Sequence, residues 1–298
     1  MEQIDRCNKI GLIVEGGGMK CAYSAGVLDS FLDDNIQFDY CMGVSAGAAN
    51  VASFVAGQRD RNRRFYCIHV KDPNYISIRN FIRTGSLFGL QYIYGDMTNE
   101  GGIDPLDYDA LRANPAEMCF PATDAETGKV RYFTKKDMKR NQYEPVMATC
   151  ALPALCKPIE IDGHYYYDGG VGDSIPVRKA VEDGCEKLIV ILSKPRGYRM
   201  KPQGHRLAYT KRLKEFPNTA KALDHRHENY NASLDYLYQM EREGKAMIFA
   251  PSGEVKIGTY TTDPAVMQAL YNNGLEDGQK MHQQVKFFIH TQAASKAI

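Results

Sequence analysis

The chain has 298 residues, of which 44% are hydrophobic and 24% charged, and this globular composition excludes a disordered, collagen-like or coiled-coil protein. It carries 37 Lys and Arg against 36 Asp and Glu, so a net charge of +1 gives no basic field that would point to nucleic acid. No apolar run approaches the ~20 residues that span a bilayer, and the acidic N-terminus lacks the apolar core of a signal peptide, so we expect a soluble cytoplasmic protein.

The first part of the chain alternates apolar runs with helical patterns. Ile10–Val14 is a continuous apolar run that ends in a glycine cluster, which predicts a buried strand. Apolar residues at helical spacing between Ala25 and Leu32 predict a helix after it. Tyr40–Gly43 indicates a second strand, and the small residues Ala46–Ala56 are typical of a helix packed tightly against a sheet.

The middle of the chain is less regular. The charged residues 60–64 predict a solvated helix end, and the apolar segment Tyr75–Tyr94 has no clear period. Met118–Thr123 and Val130–Thr134 are typical of two strands of a hairpin. A second pair of short strands flanks the tight turn Asp162–Gly163.

The last third begins with Pro176, which we place at the first position of a short helix, followed by a buried strand at 187–192. Residues 194–214 carry eight Lys or Arg and no acid, and a solvated loop is the simplest interpretation of them. An amphipathic helix (223–237), a late strand (247–250) and a helix capped by Asp263 complete the chain. This alternation predicts an α/β fold with a mostly parallel sheet.

Cysteine usage indicates reduced core thiols. The eight cysteines show no CxxC pair, which also argues against a metal site. They are Cys7, Cys21, Cys41, Cys67, Cys119, Cys150, Cys156 and Cys185.

A glycine cluster, Gly16, Gly17 and Gly18, lies between the first strand and its helix. Glycines free the backbone of side chains there, and the N–H groups of a helix start bind anions. The segment therefore fits an oxyanion hole, a tight turn, or a dinucleotide fingerprint with Asp39 as the ribose ligand. In the last case Cys21 would stand where the third glycine belongs.

The motif Gly43-Val44-Ser45-Ala46-Gly47 lies at the next turn from strand to helix. A nucleophilic serine on such a sharp turn needs small flanking residues, so Gly43 and Gly47 support Ser45 as a nucleophile at a helix N-terminus. A turn without chemistry is the alternative.

A third motif, Asp168-Gly169-Gly170, follows a predicted strand that ends in tyrosines. On its own it indicates only a turn in which Asp168 caps the backbone. Strands of a parallel sheet end at one edge, however, and all three motifs follow strands. If those strands are neighbours, oxyanion donors, a serine and a carboxylate base converge, which are the parts needed for acyl transfer.

In this order the three motifs resemble those of the patatin-like phospholipase family, over roughly residues 9–195. The resemblance implies a three-layer αβα sandwich and a Ser–Asp dyad, with Ser45 as nucleophile and Asp168 as base. It also implies oxyanion donors at Gly16, Gly17 and Gly18, with Lys20 closing the motif.

One departure from the family pattern is Cys21, where the family often has glycine, and we expect an altered loop with an intact oxyanion hole. We divide the chain into a catalytic domain (1–200) and a mainly helical extension (201–298) packed on it.

Two other functions stay open. A Ser-His-Asp carboxylesterase would need a late histidine, and His225, His227, His282 and His290 follow in the required chain order. None of these lies in a loop after a strand, and we expect His225, His227 and the turn residue His164 at the surface. A non-catalytic lipid- or acyl-binding protein on the same fold is the other alternative.

We expect a lipid ester as substrate and neither an organic cofactor nor a metal. The apolar segment Tyr75–Tyr94 fits either a lid over an acyl pocket or plain core packing. The basic stretch 194–214 leaves open a reversible contact with the anionic inner face of the membrane.

Overall fold

Strands and helices alternate along most of the chain. The computed structural model describes residues 9–255, 257–258 and 260–291. In this part the strands are β1 (Lys9–Val14), β2 (Tyr40–Gly43), β3 (Glu117–Asp124), β4 (Val130–Thr134), β5 (Ile159–Ile161), β6 (His164–Asp168), β7 (Cys185–Ile191) and β8 (Ala246–Phe249).

Ten α-helices are described over the same residues, with single helical turns between them. The helices are α1 (Ala22–Asp33), α2 (Ala46–Val55), α3 (Arg61–Cys67), α4 (Ile78–Thr84), α5 (Tyr108–Ala113), α6 (Glu144–Thr149), α7 (Val177–Glu182), α8 (Arg206–Arg212), α9 (Pro217–Arg242) and α10 (Pro264–His290). The short turns are the 3-10 turns Gly18–Cys21, His69–Lys71 and Gly169–Val171 and the π-helical turn Tyr92–Asp96.

The strands form one mixed sheet in the order β5-β6-β3-β2-β1-β7-β8, and β4 pairs with β3 outside this row. The five strands from β3 to β8 are parallel, whereas β4, β5 and β6 join antiparallel. The predicted strands and both predicted hairpins are confirmed.

Helices cover both faces of the sheet, so the molecule is a three-layer αβα sandwich. Leu12 and Val14 of β1 face a core shared with α1, α2 and α10. Ile13 between them faces a second core, built with α7 and α9. This alternation along one buried strand follows from the two-residue period of extended backbone.

Helices α1 and α10 cross in unusually close contact through glycines. A Cβ on Gly26 would lie 2.0 Å from the carbonyl oxygen of Tyr271, and one on Gly274 would lie 2.0 Å from that of Tyr23. No side chain fits at such distances, so these glycines let the two backbones touch.

Two local predictions were wrong. Residues 60–64 begin α3 instead of ending a helix in solvent, and Arg61 is buried because its guanidinium binds Ser53 and the Asp104 carbonyl. Pro176 caps α7 from outside and is not its first residue, since α7 begins at Val177. The seven described cysteines are buried and free, and Cys7 and the rest of the N-terminal octapeptide lie outside the described residues.

Candidate active site

Ser45 occupies a strained turn between β2 and α2. Its φ of 53° and ψ of −131° place it in a region that non-glycine residues rarely adopt. The flanking glycines make the turn possible. A Cβ on Gly43 would lie 2.5 Å from Ala48 Cα, and one on Gly47 would lie 2.5 Å from the carbonyl oxygen of Val14. The hydroxyl of Ser45 is thereby held at the N-terminus of α2, where the helix dipole favours negative charge.

Asp168 meets Ser45 across β3. The β2–β3 pairing places Met42 opposite Cys119, so Ser45 lies level with Ala122, and Ala122 pairs with Asp168 of β6. The prediction that both strands end at one edge of a parallel sheet is wrong for β6, which is antiparallel to β3. It reaches the same level because β3 extends beyond β2 and β6 pairs only with that extension.

The hydroxyl of Ser45 donates a 2.6 Å hydrogen bond to Asp168 Oδ2. The second oxygen, Oδ1, accepts the backbone N–H of Gly170 at 2.7 Å. The Asp168 backbone is fixed as well, because its N–H donates to Ala151 and its carbonyl accepts the Thr123 hydroxyl. The carboxylate is therefore held in one orientation, with one oxygen directed at the serine.

Burial raises the pKa of the Asp168 carboxyl above its ordinary value. The hydrogen bond from Ser45, the positive charge of Arg226 and the Gly170 N–H act in the opposite direction and lower the pKa. The net result is a carboxylate that is a stronger base than an exposed aspartate. Ser45 and Asp168 are only 8% and 1% exposed, so little solvent competes for this hydrogen bond.

Arg226 of α9 reaches this loop from late in the chain. Its Nε donates a 2.6 Å hydrogen bond to the Gly170 carbonyl, in the same peptide segment whose N–H binds Asp168. Gly169 also has to be glycine, since a Cβ there would lie 2.1 Å from the carbonyl oxygen of Pro121. No sequence motif pointed to Arg226.

The glycine cluster lies against the serine. A Cβ on Gly16 would be 2.9 Å from the Ser45 Cβ, and Gly18, with φ of 56°, lines the same cavity as Ser45. Gly17 adopts an extended φ of 171° just before the 3-10 turn, and a Cβ there would lie 2.6 Å from Ser193 Oγ. The first N–H groups of a helical turn have no acceptor within the turn, which makes them suitable anion donors.

The buried carboxylate of Glu15 holds the loop of the glycine cluster in place. Glu15 accepts the Ser193 backbone N–H at 2.7 Å and the Tyr230 hydroxyl of α9 at 3.0 Å, and it forms an ion pair with Lys194. Ser193 Oγ donates in turn to the Gly16 carbonyl at 2.7 Å. These contacts were not expected from the sequence, although Glu15 belongs to the first motif.

Lys20 and Cys21 close the glycine motif. Burial, and after it the charge of Lys194, lowers the pKa of Lys20. The thiol of Cys21 fits the space after the turn and points to the Glu15 carbonyl at 3.4 Å. Burial raises the pKa of this thiol to about 12, so it stays protonated and uncharged beside the site.

An apolar cavity of about 40 Å³ opens beside Ser45. It is walled mainly by aromatic and aliphatic side chains of the segment predicted as a lid or as core. The lining residues from that segment are Tyr75, Phe88, Leu90, Ile93 and Tyr94. Ligand pockets usually enclose at least ~300 Å³, so a ligand of ordinary size enters only if this wall moves.

Histidines do not complete a triad in the described part of the chain, because no imidazole there is hydrogen-bonded to Ser45 or Asp168. His225 is exposed beside Glu228, and His164 is exposed in its turn, as expected. His227 was expected at the surface, but its side chain is only 21% exposed, and its Nδ1 is buried without a hydrogen-bond partner.

Neither a metal-binding cluster nor a membrane-spanning helix is found among the described residues. Over 9–255, 257–258 and 260–291, no group of three His, Cys, Asp or Glu side chains could hold a metal ion. Among the helices described, none combines the length and the apolar character needed to cross a bilayer.

Comparison with known proteins identifies two regions. The model of the patatin-like phospholipase family matches residues 12–181, more than half of the chain, and a domain of unknown function (DUF6363) matches residues 216–290. The uncharacterized protein YjjU of Escherichia coli (strain K12) is 29% identical over 197 residues, which cover 65% of this chain and 55% of YjjU.

More distant similarities are found as well. Neuropathy target esterase sws of Drosophila grimshawi is 26% identical over 185 residues, which cover 57% of this chain and 11% of that protein. Among solved structures, VipD from Legionella pneumophila aligns with a TM-score of 0.48 and 12% identity, covering 93% of this chain and 67% of VipD. The chain thus spans little more than half the length of YjjU and about a tenth of sws.

Proposed function

Because the chain belongs to the patatin-like phospholipase family, we propose that it is a lipid acyl hydrolase that cleaves carboxylic esters with a Ser45–Asp168 dyad. The observation that carries this proposal is the 2.6 Å hydrogen bond from a serine at positive φ to a buried carboxylate. A hydroxyl held in this way is typical of an activated nucleophile.

The dyad replaces the histidine of a triad with a single carboxylate. An aspartate of ordinary pKa is a weak base for a serine hydroxyl. Burial compensates by raising the pKa of Asp168, and the short hydrogen bond already directs the serine proton to Oδ2. Donor distances in an apo site tighten further in the transition state, so this geometry is a suitable starting point.

The proposed reaction has two steps. In the first, Ser45 Oγ attacks the ester carbonyl carbon as its proton passes to Asp168, and the alcohol leaves with that proton, so that an acyl-serine remains. In the second, Asp168 takes a proton from water, the resulting hydroxide equivalent attacks the acyl carbon, and the serine recovers the proton as the carboxylic acid departs.

Both tetrahedral intermediates carry negative charge on the former carbonyl oxygen. We assign the stabilising donors to the backbone N–H groups of the glycine cluster Gly16, Gly17 and Gly18, because Gly18 lines the cavity beside Ser45 and Gly16 lies against the serine. Loss of one such donor typically costs 10²–10³ in rate. Glu15 and its partners would keep the turn in place while the charge develops.

The first experiment is hydrolysis of p-nitrophenyl butyrate, a small ester whose short acyl chain requires little widening of the cavity. We expect Ser45→Ala and Asp168→Asn each to lose at least about 10³-fold in kcat. Asp173→Asn is the matched control, because Asp173 is a half-buried aspartate close to Asp168 in the chain that binds the Tyr132 hydroxyl and not Ser45. Circular dichroism would verify folding.

Two results would contradict the proposal. Activity that survives in Asp168→Asn and is lost in Ser45→Ala would indicate a histidine base, as in the carboxylesterase alternative. If a fluorophosphonate fails to label Ser45 and no ester is cleaved even with detergent micelles present, the chain is a non-catalytic lipid-binding protein.

A further inference from the structure

Helices α4 and α8 expose large apolar side chains beside the active site. Ile78 and Ile82, one turn apart on α4, are 74% and 80% exposed, and Leu207 of α8 is 87% exposed. Single exposed apolar residues are common on soluble proteins, but three on two neighbouring helices form a patch.

The two helices are in direct contact. The guanidinium of Arg212 in α8 lies over the Phe81 ring of α4, 5.1 Å from its centroid, and donates a 2.8 Å hydrogen bond to the Gly85 carbonyl after α4. The two helices are therefore neighbours at the surface of the protein. We call this surface the docking face and define it by Ile78, Arg79, Ile82, Arg83, Leu207 and Lys211.

The docking face is basic. Neither α4 nor α8 contains an acidic residue. Arg79, Arg83 and Lys211 are exposed, and no carboxylate pairs with them among the residues that the structure describes. The isoleucines thus stand among uncompensated positive charges, a combination that fits the interface of an anionic bilayer.

Most of the other cations in the stretch 194–214 are already neutralised. Arg196 and Arg199 pair with acids of α9, as does Arg206 of α8, while Lys194 pairs with the buried Glu15. The solvated loop expected there is confirmed for residues 195–205, which are largely exposed, whereas residues 206–212 form α8. The ion pairs of Arg196 and Arg199 also attach this loop to α9. Positive side chains without an ion pair lie on α4 and at the end of α8, near the candidate catalytic cavity.

The docking face connects directly to the wall of the cavity. Helix α4 is the insertion between Ile76 and Phe88, which form an antiparallel bridge at its base. Tyr75, which precedes this bridge, and Phe88, which is part of it, line the cavity beside Ser45. A surface that binds α4 would therefore lie next to the opening of the cavity.

We propose that the docking face binds the surface of an anionic lipid bilayer, with Ile78 and Ile82 inserted among the acyl chains and Arg79, Arg83 and Lys211 at the phosphates. The proposal deepens the proposed function and rests on it for its purpose, since a lipid hydrolase must approach aggregated substrate. The charge complementarity and the apolar insertion select a bilayer over a second, nearly neutral copy of the chain.

Vesicle co-sedimentation tests binding apart from catalysis if the full chain carries Ser45→Ala. Vesicles of phosphatidylcholine alone are compared with vesicles in which part of it is replaced by phosphatidylglycerol. We expect binding to require the anionic lipid and to weaken with salt. Arg79→Gln with Arg83→Gln should lower the partition constant about 25-fold, at about fivefold for each lost charge.

The apolar contribution is tested by Ile78→Ser with Ile82→Ser, for which we expect at least a tenfold loss of vesicle binding. Ile103→Ser and Lys136→Gln with Lys139→Gln are matched controls, because they change exposed residues outside α4 and α8. They should bind vesicles as the Ser45→Ala parent does.

Vesicle binding that is equal for docking-face and control variants, or independent of phosphatidylglycerol, would overturn this proposal. The result is separate from that for the dyad, because hydrolysis of p-nitrophenyl butyrate by the docking-face variants in the active background should remain unchanged. A chain that binds vesicles through this face and cleaves no ester would contradict the proposed function alone.

Discussion

Replacement of Arg226 by Gln should change the pH range over which Asp168, the proposed base, is protonated, without touching Ser45. Arg226 contributes a positive charge that lowers the pKa of Asp168, and it holds the Gly170 carbonyl at 2.6 Å. Without this charge the pKa of Asp168 rises further. The carboxylate is then protonated, and therefore inactive as a base, up to a higher pH than in the parent chain. The acid limb of kcat/KM should accordingly move to higher pH.

The size of this effect follows from the geometry. A Cβ on Gly170 would lie 3.0 Å from Asp168 Oδ1 and 3.4 Å from Arg226 Nη2, so these two atoms are no more than about 6 Å apart, and we use ~6 Å as the separation of the two charges. At an effective dielectric constant of ~20 their attraction is ~2.5 kcal/mol. Arg226 is partly solvated, and we expect about half of this to remain after screening. That half corresponds to about a tenfold loss of kcat/KM on the acid limb.

The assay is the pH profile of p-nitrophenyl butyrate hydrolysis. Arg226→Lys retains the charge and should keep the acid limb close to that of the parent, which separates the electrostatic effect from a structural one. Arg242→Gln, an exposed change on the same helix, is the control for lost charge on α9. If the limb of Arg226→Gln coincides with that of the parent while activity falls equally at every pH, Arg226 acts only on structure and the electrostatic reasoning is refuted.

Three further predictions address the packing around the site. Tyr230→Phe removes a hydrogen bond to Glu15 and should lower kcat about threefold to tenfold with KM unchanged; a change in KM alone would contradict this. Gly274→Val should reduce the free energy of unfolding by about 3 kcal/mol or more in urea, whereas Gly204→Ala, which has open space, should not. Burial raises the pKa of Asp29 to about 6, so ionisation of Asp29 should lower stability by up to ~3 kcal/mol as pH rises from 4 to 7, and Asp29→Asn should lack this contribution; stability curves that run parallel for parent and variant would contradict it.

Much of the candidate site could be predicted because its residues lie in glycine-rich turns, which are easy to recognise in a sequence. We could place β1 and β2 from apolar runs of four to six residues that end at glycines. The motif that follows each run was therefore predicted to lie at the end of a strand. The family suggested by the three motifs is confirmed by the match over residues 12–181. The N-cap predicted at Asp263 is confirmed too, because its carboxylate accepts the Ala265 N–H.

The sequence could not reveal how distant segments contact the site. Arg226 and Tyr230 lie on a helix that reads only as amphipathic, and which of its polar residues turn inward depends on how α9 is rotated on the sheet. The burial of Arg61 was missed for a related reason. A charged cluster usually indicates solvent, but here Ser53, Thr98 and the Asp104 carbonyl satisfy the guanidinium inside the protein.

The candidate active site includes residues from outside the region that carries the family motifs. Residues 216–290 match a separate family model, yet two side chains of α9 contact the loops of the site: Arg226 binds the Gly170 carbonyl next to Asp168, and Tyr230 binds Glu15 below the glycine cluster. The same region adds β8, which pairs with β7 and so prevents β7 from becoming an open edge of the sheet. Without Tyr230 the buried carboxylate of Glu15 would lose one hydrogen bond, so α9 stabilises the loop on which the proposed oxyanion donors lie. We infer that α9 is part of the scaffold of the candidate active site.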